Sequence, residues 1–338
     1  GTFTGAHNIG AGEYPLLSLT SGSYNIALGS RSGFDLSTGS NNFLGGYQAG
    51  TNLTTGSNNV ALGLSAGSGV TTSSYNVHIG QYAGSGVTTS SNTIFVGREA
   101  GRYASNGIGI GYRAARYSTQ GTNIGIGSQS LYGGSLTGGN NVGLGNGTLQ
   151  SVETGFNNTA IGSDAGVDVS TGQQNTLLGS QAGNSGVNDL TTGSNNTLLG
   201  YNATASSATV SNEITLGDSS ITTLRCQVTT ITSLSDARDK TDIQPLNAGL
   251  EFVEALNPVS FTWDMRDGGK VGEADTGFIA QDLKQAQEDL GVHIPHLVFD
   301  ANPDKLEAGY GKLIPVLVQA IKDLSAKVNE LEARLEDK

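Results

Sequence analysis

Thr55-Gly56-Ser57-Asn58-Asn59-Val60-Ala61-Leu62-Gly63 recurs in varied form over most of the first two thirds of the chain. The repeating unit is Asn, two or three residues, an aliphatic residue and Gly, often followed two residues later by Ala-Gly, as at Ala66-Gly67. Its closing glycines fall at Gly29, Gly46, Gly63, Gly80, Gly97, Gly111, Gly127, Gly145, Gly162, Gly179, Gly200 and Gly217. The spacings are 17, 17, 17, 17, 14, 16, 18, 17, 17, 21 and 17, so seven of eleven are identical. A chain without a fold has no reason to keep such a register, and a fixed period predicts stacked coils.

Within each unit the apolar residues alternate over a few positions, as in Asn175-Thr176-Leu177-Leu178-Gly179, which is too short for a helix and right for a strand. The Thr-Gly-Ser-Asn-Asn and Ala-Gly segments supply turn residues that tolerate positive φ. One unit is therefore expected to be a short strand, a turn, a second short strand and another turn. It is expected to bury two or three aliphatic side chains, such as Ile26 and Leu28, or Val142 and Leu144. Such a core is thin, so stacking twelve units joins the cores into a column, and association of three chains thickens it. At ~4.8 Å between strands the rod would be about 55 to 60 Å long.

Charge divides the chain where the repeats give out. Residues 1–234 hold 9 acidic and 6 basic residues and residues 235–338 hold 20 and 11, which sum to the totals of 29 and 17. An acidic chain lacks the basic stripe of a nucleic-acid binder. No apolar run reaches the ~18 residues of a membrane span, and Gly1-Thr2-Phe3 is neither a signal peptide nor an initiator methionine, so a fragment of a longer protein is expected. Without a terminal barrel or anchor, a complete cell-surface autotransporter is not expected. The single cysteine, Cys226, excludes an intrachain disulfide and is expected to be a small buried side chain.

Several groups in the repeats invite a functional reading. His7 and His78 are isolated and expected to be packed or exposed, the other reading of His78 being a ring of three imidazoles in a trimer. Arg98, Arg102, Tyr103, Tyr112, Arg113, Arg116 and Tyr117 coincide with the 14-residue and 16-residue spacings. They suit either a lateral sugar-binding patch or, as the preferred expectation, a local packing adjustment. Asp164, Asp168 and Asp189 are read as solvated turn residues rather than a glycosidase pair. His293-x-x-His296 has ligand-like spacing, but the intervening Pro295 opposes a helix and no third ligand is evident, so no metal and no cofactor are expected.

From Ser219 to Leu234 glycine disappears, leaving Ile221, Leu224, Val228, Ile231 and Leu234 among Thr and Ser, which reads as an extended stem. At its end stands Leu234-Ser235-Asp236-Ala237-Arg238-Asp239-Lys240, where a hydroxyl and an amine lie five residues apart. An amine serves as base for a hydroxyl nucleophile when its pKa falls well below the ~10.4 of free lysine. The plain alternative is a polar turn capped by Ser235 and Asp236. Further on, Asn247 to Leu256 reads as a helix, Val259 to Trp263 as a strand, Gly268-Gly269 as a turn, and Thr276 to Leu290 as a strand leading into a helix. Ile314, Leu317, Ile321, Leu324, Val328, Leu331 and Leu335 step by 3, 4, 3, 4, 3 and 4, a heptad seam over 314–335 suited to a trimer, with a dimer as the alternative that Leu at several sites leaves open.

Three stretches in the same order, Ser235-Asp236-x-Arg238-x-Lys240-x-Asp242-Ile243, Gly277-Phe278-Ile279-Ala280-Gln281-Asp282 and Tyr310-Gly311-x-Leu313-Ile314-Pro315-Val316-Leu317, resemble the C-terminal intramolecular chaperone of phage tailspikes and tail fibres. That is the endosialidase-type auto-processing domain, also found in myelin regulatory factor. The resemblance implies a trimer that helps the upstream fibre trimerise and then cuts itself off. Ser235 would be the nucleophile, Lys240 the general base, and the Leu234–Ser235 bond the one broken, with Asp236 orienting the loop and Arg238 or a backbone amide stabilising the oxyanion. The repeats are similar to the Gly-rich coils of trimeric autotransporter adhesin heads and to phage fibre repeats, although the usual unit there is shorter.

The expected fold is mostly β: a homotrimeric β-coil rod (β-helix or β-roll) over 1–217, an extended stem over 218–234, and a small α+β chaperone over 235–338 ending in a trimeric coiled coil. The expected function is that of a phage tail fibre or tailspike fragment, assembled in the host cytoplasm and carried on the virion as part of the tail. Its shaft would bind a host-surface glycan or protein receptor or act as a spacer. Its one enzymatic act would be the self-cut, without nucleic-acid binding or membrane insertion. The rival readings are a glycan-degrading tailspike and a non-phage surface adhesin, an ice-binding rod being disfavoured by the drift of its Thr positions.

Overall fold

The structure is a computed structural model that describes residues 4–186, 188–227, 235–266, 270–300 and 302–336. The chain forms two compact units, divided between Asp218 and Ser219.

The first unit is a solenoid of thirteen three-residue strands, from β1 (Ile9–Ala11) and β2 (Ile26–Leu28) through to β13 (Ile214–Leu216), among the described residues. Each pairs in parallel with the next in sequence, Ile9 opposite Ile26 and Ala27 opposite Leu44, so one turn of chain makes one coil. The coil differs from the sequence expectation in three respects. It holds one strand rather than two, the rest of the turn being a compact loop. A thirteenth coil precedes the first expected one, closing at Gly12, 17 residues before Gly29. The inward residue is the middle one of each strand. Ala27 is buried while Leu28 is 41% exposed, because successive strand side chains point to opposite faces and a three-residue strand has a single inward position. Val142 and Leu144 likewise flank the buried Gly143.

The rest of the core comes from the loop. Ala49, Ala66 and Ala83, each just before a glycine, and Leu53, Val70 and Val87 farther along the loop are all buried. Gly63 has φ +131°, and a Cβ there would lie 2.7 Å from the Gly80 carbonyl of the next coil, so neither the angle nor the space admits a side chain.

Before each strand stands a buried asparagine. The Oδ1 of Asn59 accepts from the backbone N and the Nδ2 of Asn76, and its own Nδ2 donates to Asn42 Oδ1 and to Ser73 O, all at 3.0–3.1 Å. The ladder runs Asn8, Asn25, Asn42, Asn59, Asn76, ends at Thr93, and resumes as Asn123, Asn141, Asn158, Asn175 and Asn196. The residue before a ladder asparagine sits in the left-handed region, as at Asn58 (φ 61°) and Asn157 (φ 57°), a conformation Asn adopts more readily than most side chains. This explains the doubled Asn-Asn of the repeat.

Where the ladder first ends, His78 fills the inward strand position. Its ring stacks on Phe95 at 5.4 Å and its Nε2 lies 2.9 Å from Thr93 Oγ1. Gly84 must remain glycine beside it, since a Cβ would lie 2.6 Å from the imidazole.

The second unit holds α1 (Leu250–Ala255), a hairpin of β14 (Val259–Asp264) and β15 (Val271–Gly277), α2 (Ala280–Asp289), a short hairpin of β16 (Val298–Phe299) and β17 (Glu307–Ala308), and α3 (Leu313–Glu336). The expected Gly268-Gly269 turn lies outside the described residues, as do Val228, Ile231 and Leu234 of the stem. Ile221 and Leu224 are exposed and belong to no strand, and Cys226, expected to be buried, is exposed in the single chain. Residues 271–275 are strand, a stretch whose Gly272 and two acidic residues masked any apolar alternation. No helix among the described residues is long and apolar enough to cross a membrane.

Two consequences are measurable. Asn59→Ala removes four hydrogen bonds and leaves the buried Asn76 N–H without its acceptor, so chemical denaturation should show the first unit destabilised by about 2–4 kcal/mol. Burial pushes the His78 imidazole from its ordinary 6.5 down to about 4, so the native state resists a proton that the unfolded chain takes up. Stability contributed by neutral His78 is complete above pH 6.5 and is lost as pH falls toward 4, by about 3 kcal/mol per chain; His78→Leu should flatten that part of a stability-versus-pH curve.

Candidate functional site

Ser235 and Lys240 are brought together by the turn between them. Asp236 caps the single 3-10 turn Ala237–Asp239, its Oδ1 accepting from the backbone N of Arg238 at 2.9 Å. The guanidinium of Arg238 closes back on the same carboxylate, Nη2 to Oδ2 at 2.6 Å. These side-chain and backbone hydrogen bonds from Arg238 hold the Asp236 carboxyl below the usual carboxylate range. The turn returns the chain so that Lys240 Nζ donates to Ser235 Oγ at 2.7 Å and to Ser235 O at 3.3 Å. Both residues are exposed. Arg238 is committed to Asp236. Leu234 lies outside the described residues.

The other two stretches of the sequence motif meet each other. Tyr310 Oη accepts from Phe278 N at 3.0 Å and donates to Phe278 O at 3.1 Å, with the two rings edge to face. A Cβ on Gly277 would lie 2.7 Å from that hydroxyl, which is why glycine precedes the phenylalanine. Just beyond Tyr310, α3 begins with two faces. Leu313 and Val316 are buried in the core of the unit with Phe252 and Leu283, and Ala320 is buried too, while the heptad residues from Ile314 to Leu335 are 44–71% exposed. Asp323 on α3 accepts from Leu250 N at 3.0 Å and from Gln319 Nε2 at 2.8 Å, supplying the cap that Gly249 cannot.

On the solenoid, the Tyr and Arg residues do come together. Glu99 is the hub, lying 3.6, 3.0 and 3.1 Å from Arg102, Arg113 and Arg116. Arg98 lies over Tyr112 at 4.5 Å, and Tyr103 stacks on Tyr117 at 5.3 Å. Tyr82 and Tyr132, which the sequence reading passed over, extend the band by one coil each way, under Arg102 and edge-on to Tyr117. Their positions within the repeat gave the signal: Tyr82 stands two residues after its closing glycine, as Glu99 and Arg113 do, and Tyr132 five after, as Arg102 and Arg116 do.

The acidic residues are divided. Asp164 accepts from Ser163, whereas Asp168 has its carboxyl raised by burial and then by the nearby charge of Asp189. His293 lines a groove with Lys284, Glu288 and Asp300, while the His296 ring lies 5.8 Å from Phe299. Among the described residues no group of three or more His, Cys, Asp or Glu side chains is placed to hold a metal ion.

Residues 235–292 match the family described as "Chaperone of endosialidase", beginning at Ser235, so the second unit carries a domain of this serine-peptidase-type, autoprocessing family. The chain is 33% identical over 105 residues, 30% of its length, to "Long tail fiber protein Gp37" of Enterobacteria phage K3 and to the protein of the same name from Enterobacteria phage T2. It spans only 8% and 7% of those relatives. No solved structure matches the chain.

Tyr310→Phe removes both hydrogen bonds to Phe278 and leaves its backbone N–H unpaired. Hydrogen exchange at Phe278 should rise, and the second unit should lose about 1–3 kcal/mol in a denaturant titration.

Proposed function

We propose that this chain is part of a phage tail fibre whose C-terminal domain brings three copies together and then severs itself at the Leu234–Ser235 bond. The 2.7 Å contact between Lys240 Nζ and Ser235 Oγ carries the reading, because it sets an amine against a hydroxyl at the first residue of the family match. The relatives' name, a long tail fibre protein, supports the assignment to a virion.

Trimerisation is supported by apolar surface that is left exposed among the described residues. The heptad stripe of α3 is one such surface. The outward strand positions are another, with Leu28, Ile79, Ile110, Ile126 and Leu178 all 36–46% exposed in the same place on five of the coils. Two or three copies that share these surfaces remove them from water. The 218–234 segment is read as the stem that joins shaft to chaperone.

The cut proceeds as an N-to-O acyl shift. Assembly removes water from the exposed 235–240 loop, which favours the neutral amine. Lys240 Nζ takes the Ser235 Oγ proton as the oxygen attacks the Leu234 carbonyl carbon. The C–N bond then breaks, and that proton passes to the departing Ser235 nitrogen. Water hydrolyses the resulting ester, leaving a Leu234 carboxylate and a Ser235 amino terminus. Asp236 holds the turn that sets the dyad, and a backbone amide is left to meet the oxyanion. The shaft is the part that remains on the particle, for attachment to the host or as a spacer.

Intact mass and light scattering on residues 1–338 provide the test. Two fragments divided before Ser235, from a trimer, are expected for the wild type. Ser235→Ala should be trimeric and uncut, and Lys240→Ala trimeric and slower by ~10² to 10⁴-fold. An uncut wild-type trimer would remove the peptidase role and leave the assembly role, whereas a monomer would overturn both.

A further inference from the structure

We infer that the Tyr and Arg band on the coils of strands Val77–Ile79 to Ile124–Ile126 is a lateral binding site for an acidic glycan, a sugar chain bearing carboxylate, sulfate or phosphate groups. The inference deepens the attachment part of the reading above and is independent of the cut.

Charge is the first ground. Arg98, Arg102, Arg113 and Arg116 against Glu99 give +3, while the other residues of 1–234 hold 8 acidic and 2 basic side chains, or −6. One cationic band thus stands on an otherwise acidic rod, and guanidinium groups pair in a planar, bidentate way with carboxylate, sulfate and phosphate.

A buried donor is the second. Arg116 is only 9% exposed; its Nη2 meets Glu99 at 3.1 Å and its Nη1 meets Tyr132 Oη at 3.4 Å, yet its Nε has no hydrogen-bond partner among the described residues. A buried N–H without an acceptor is costly, and an oxyanion seated between the arginines supplies one. One carboxylate among four guanidinium groups leaves room for another anion.

The third is the form of the aromatic surface. Tyr103 is 45% exposed and continues into Tyr117 on the next coil, giving flat apolar faces of the kind that receive the C–H faces of sugar rings. Coils repeat every ~4.8 Å, close to the length of one pyranose along a polysaccharide, so two neighbouring sugars of a glycan lying parallel to the rod meet the Arg-Tyr pairs of two successive coils, Arg102-Tyr103 and Arg116-Tyr117. A nucleic acid would also meet cations and rings here, but the strongly negative chain around the band repels a polyanion of that charge density.

The experiment is calorimetric titration of the whole chain with a panel of uronate-, sialate-, sulfate- and phosphate-bearing oligosaccharides. Their neutral counterparts and a single-stranded DNA of similar length are the controls. At least one acidic sugar should bind, more weakly as salt rises, while neutral sugars and DNA bind less. Arg98→Ser with Tyr103→Ala, both at exposed positions, should weaken that binding by about tenfold or more with the thermal transition unchanged. Failure of every acidic sugar, equal binding of neutral ones, tighter binding of DNA, or an undiminished affinity in the double variant would each overturn the site. A chain that is trimeric and cut yet binds no sugar refutes the band alone, whereas a monomeric, uncut chain refutes the fibre reading independently of the titration.

Discussion

Most coils of the first unit are held to the next by a buried asparagine that replaces what a longer strand would have provided. Three-residue strands make few ladder hydrogen bonds, and a Gly-rich turn costs more conformational entropy to order than most sequences. The Asn side chain answers both problems. Its Oδ1 takes the backbone N–H that begins the next strand, and its Nδ2 ties down a loop carbonyl fourteen residues on. Each asparagine has its donors and acceptor satisfied only when both neighbouring coils are present, so the ladder makes a stack of thin units cooperative.

The interior shows what happens where that device lapses. Between Thr93 and Asn123 the ladder is interrupted, and the inward strand positions shrink from Phe95 to Gly109 and Gly125. Buried apolar side chains accordingly form two clusters, one ending at Ala104 and the other beginning at Leu131. The Arg, Tyr and Glu99 side chains lie on the outside of this same stretch. Packing material has moved from the inside of the coil to its surface, where it stays half exposed and carries charge.

Much of this was legible in the sequence. The glycine register fixed a coiled repeat, and the 3-4 spacing fixed the last helix and its seam. Ser235 and Lys240 stood out by the five-residue spacing of a hydroxyl and an amine and by the resemblance of their stretch to a phage chaperone. Other features were hidden for physical reasons. Alternation in Val60-Ala61-Leu62 does not say which phase faces inward; the larger residues were taken as core, yet Ala61 is the one that faces inward, at the position that Leu44 and Phe95 fill on other coils. The role of Asn59 depends on a partner seventeen residues away, which no local pattern reveals.

The direction of the ladder also bears on how the rod carries load. Hydrogen bonds between coils run from each strand to the next along the stacking direction, so a pull along that axis passes through every inter-coil junction in series. The rod is then as strong as its weakest junction, and the stretch between Thr93 and Asn123 is the one that lacks the asparagine bonds. There the Glu99 carboxylate grips Arg113 and Arg116 of the following coil from outside. Those ion pairs act as a tensile splice across the gap in the ladder.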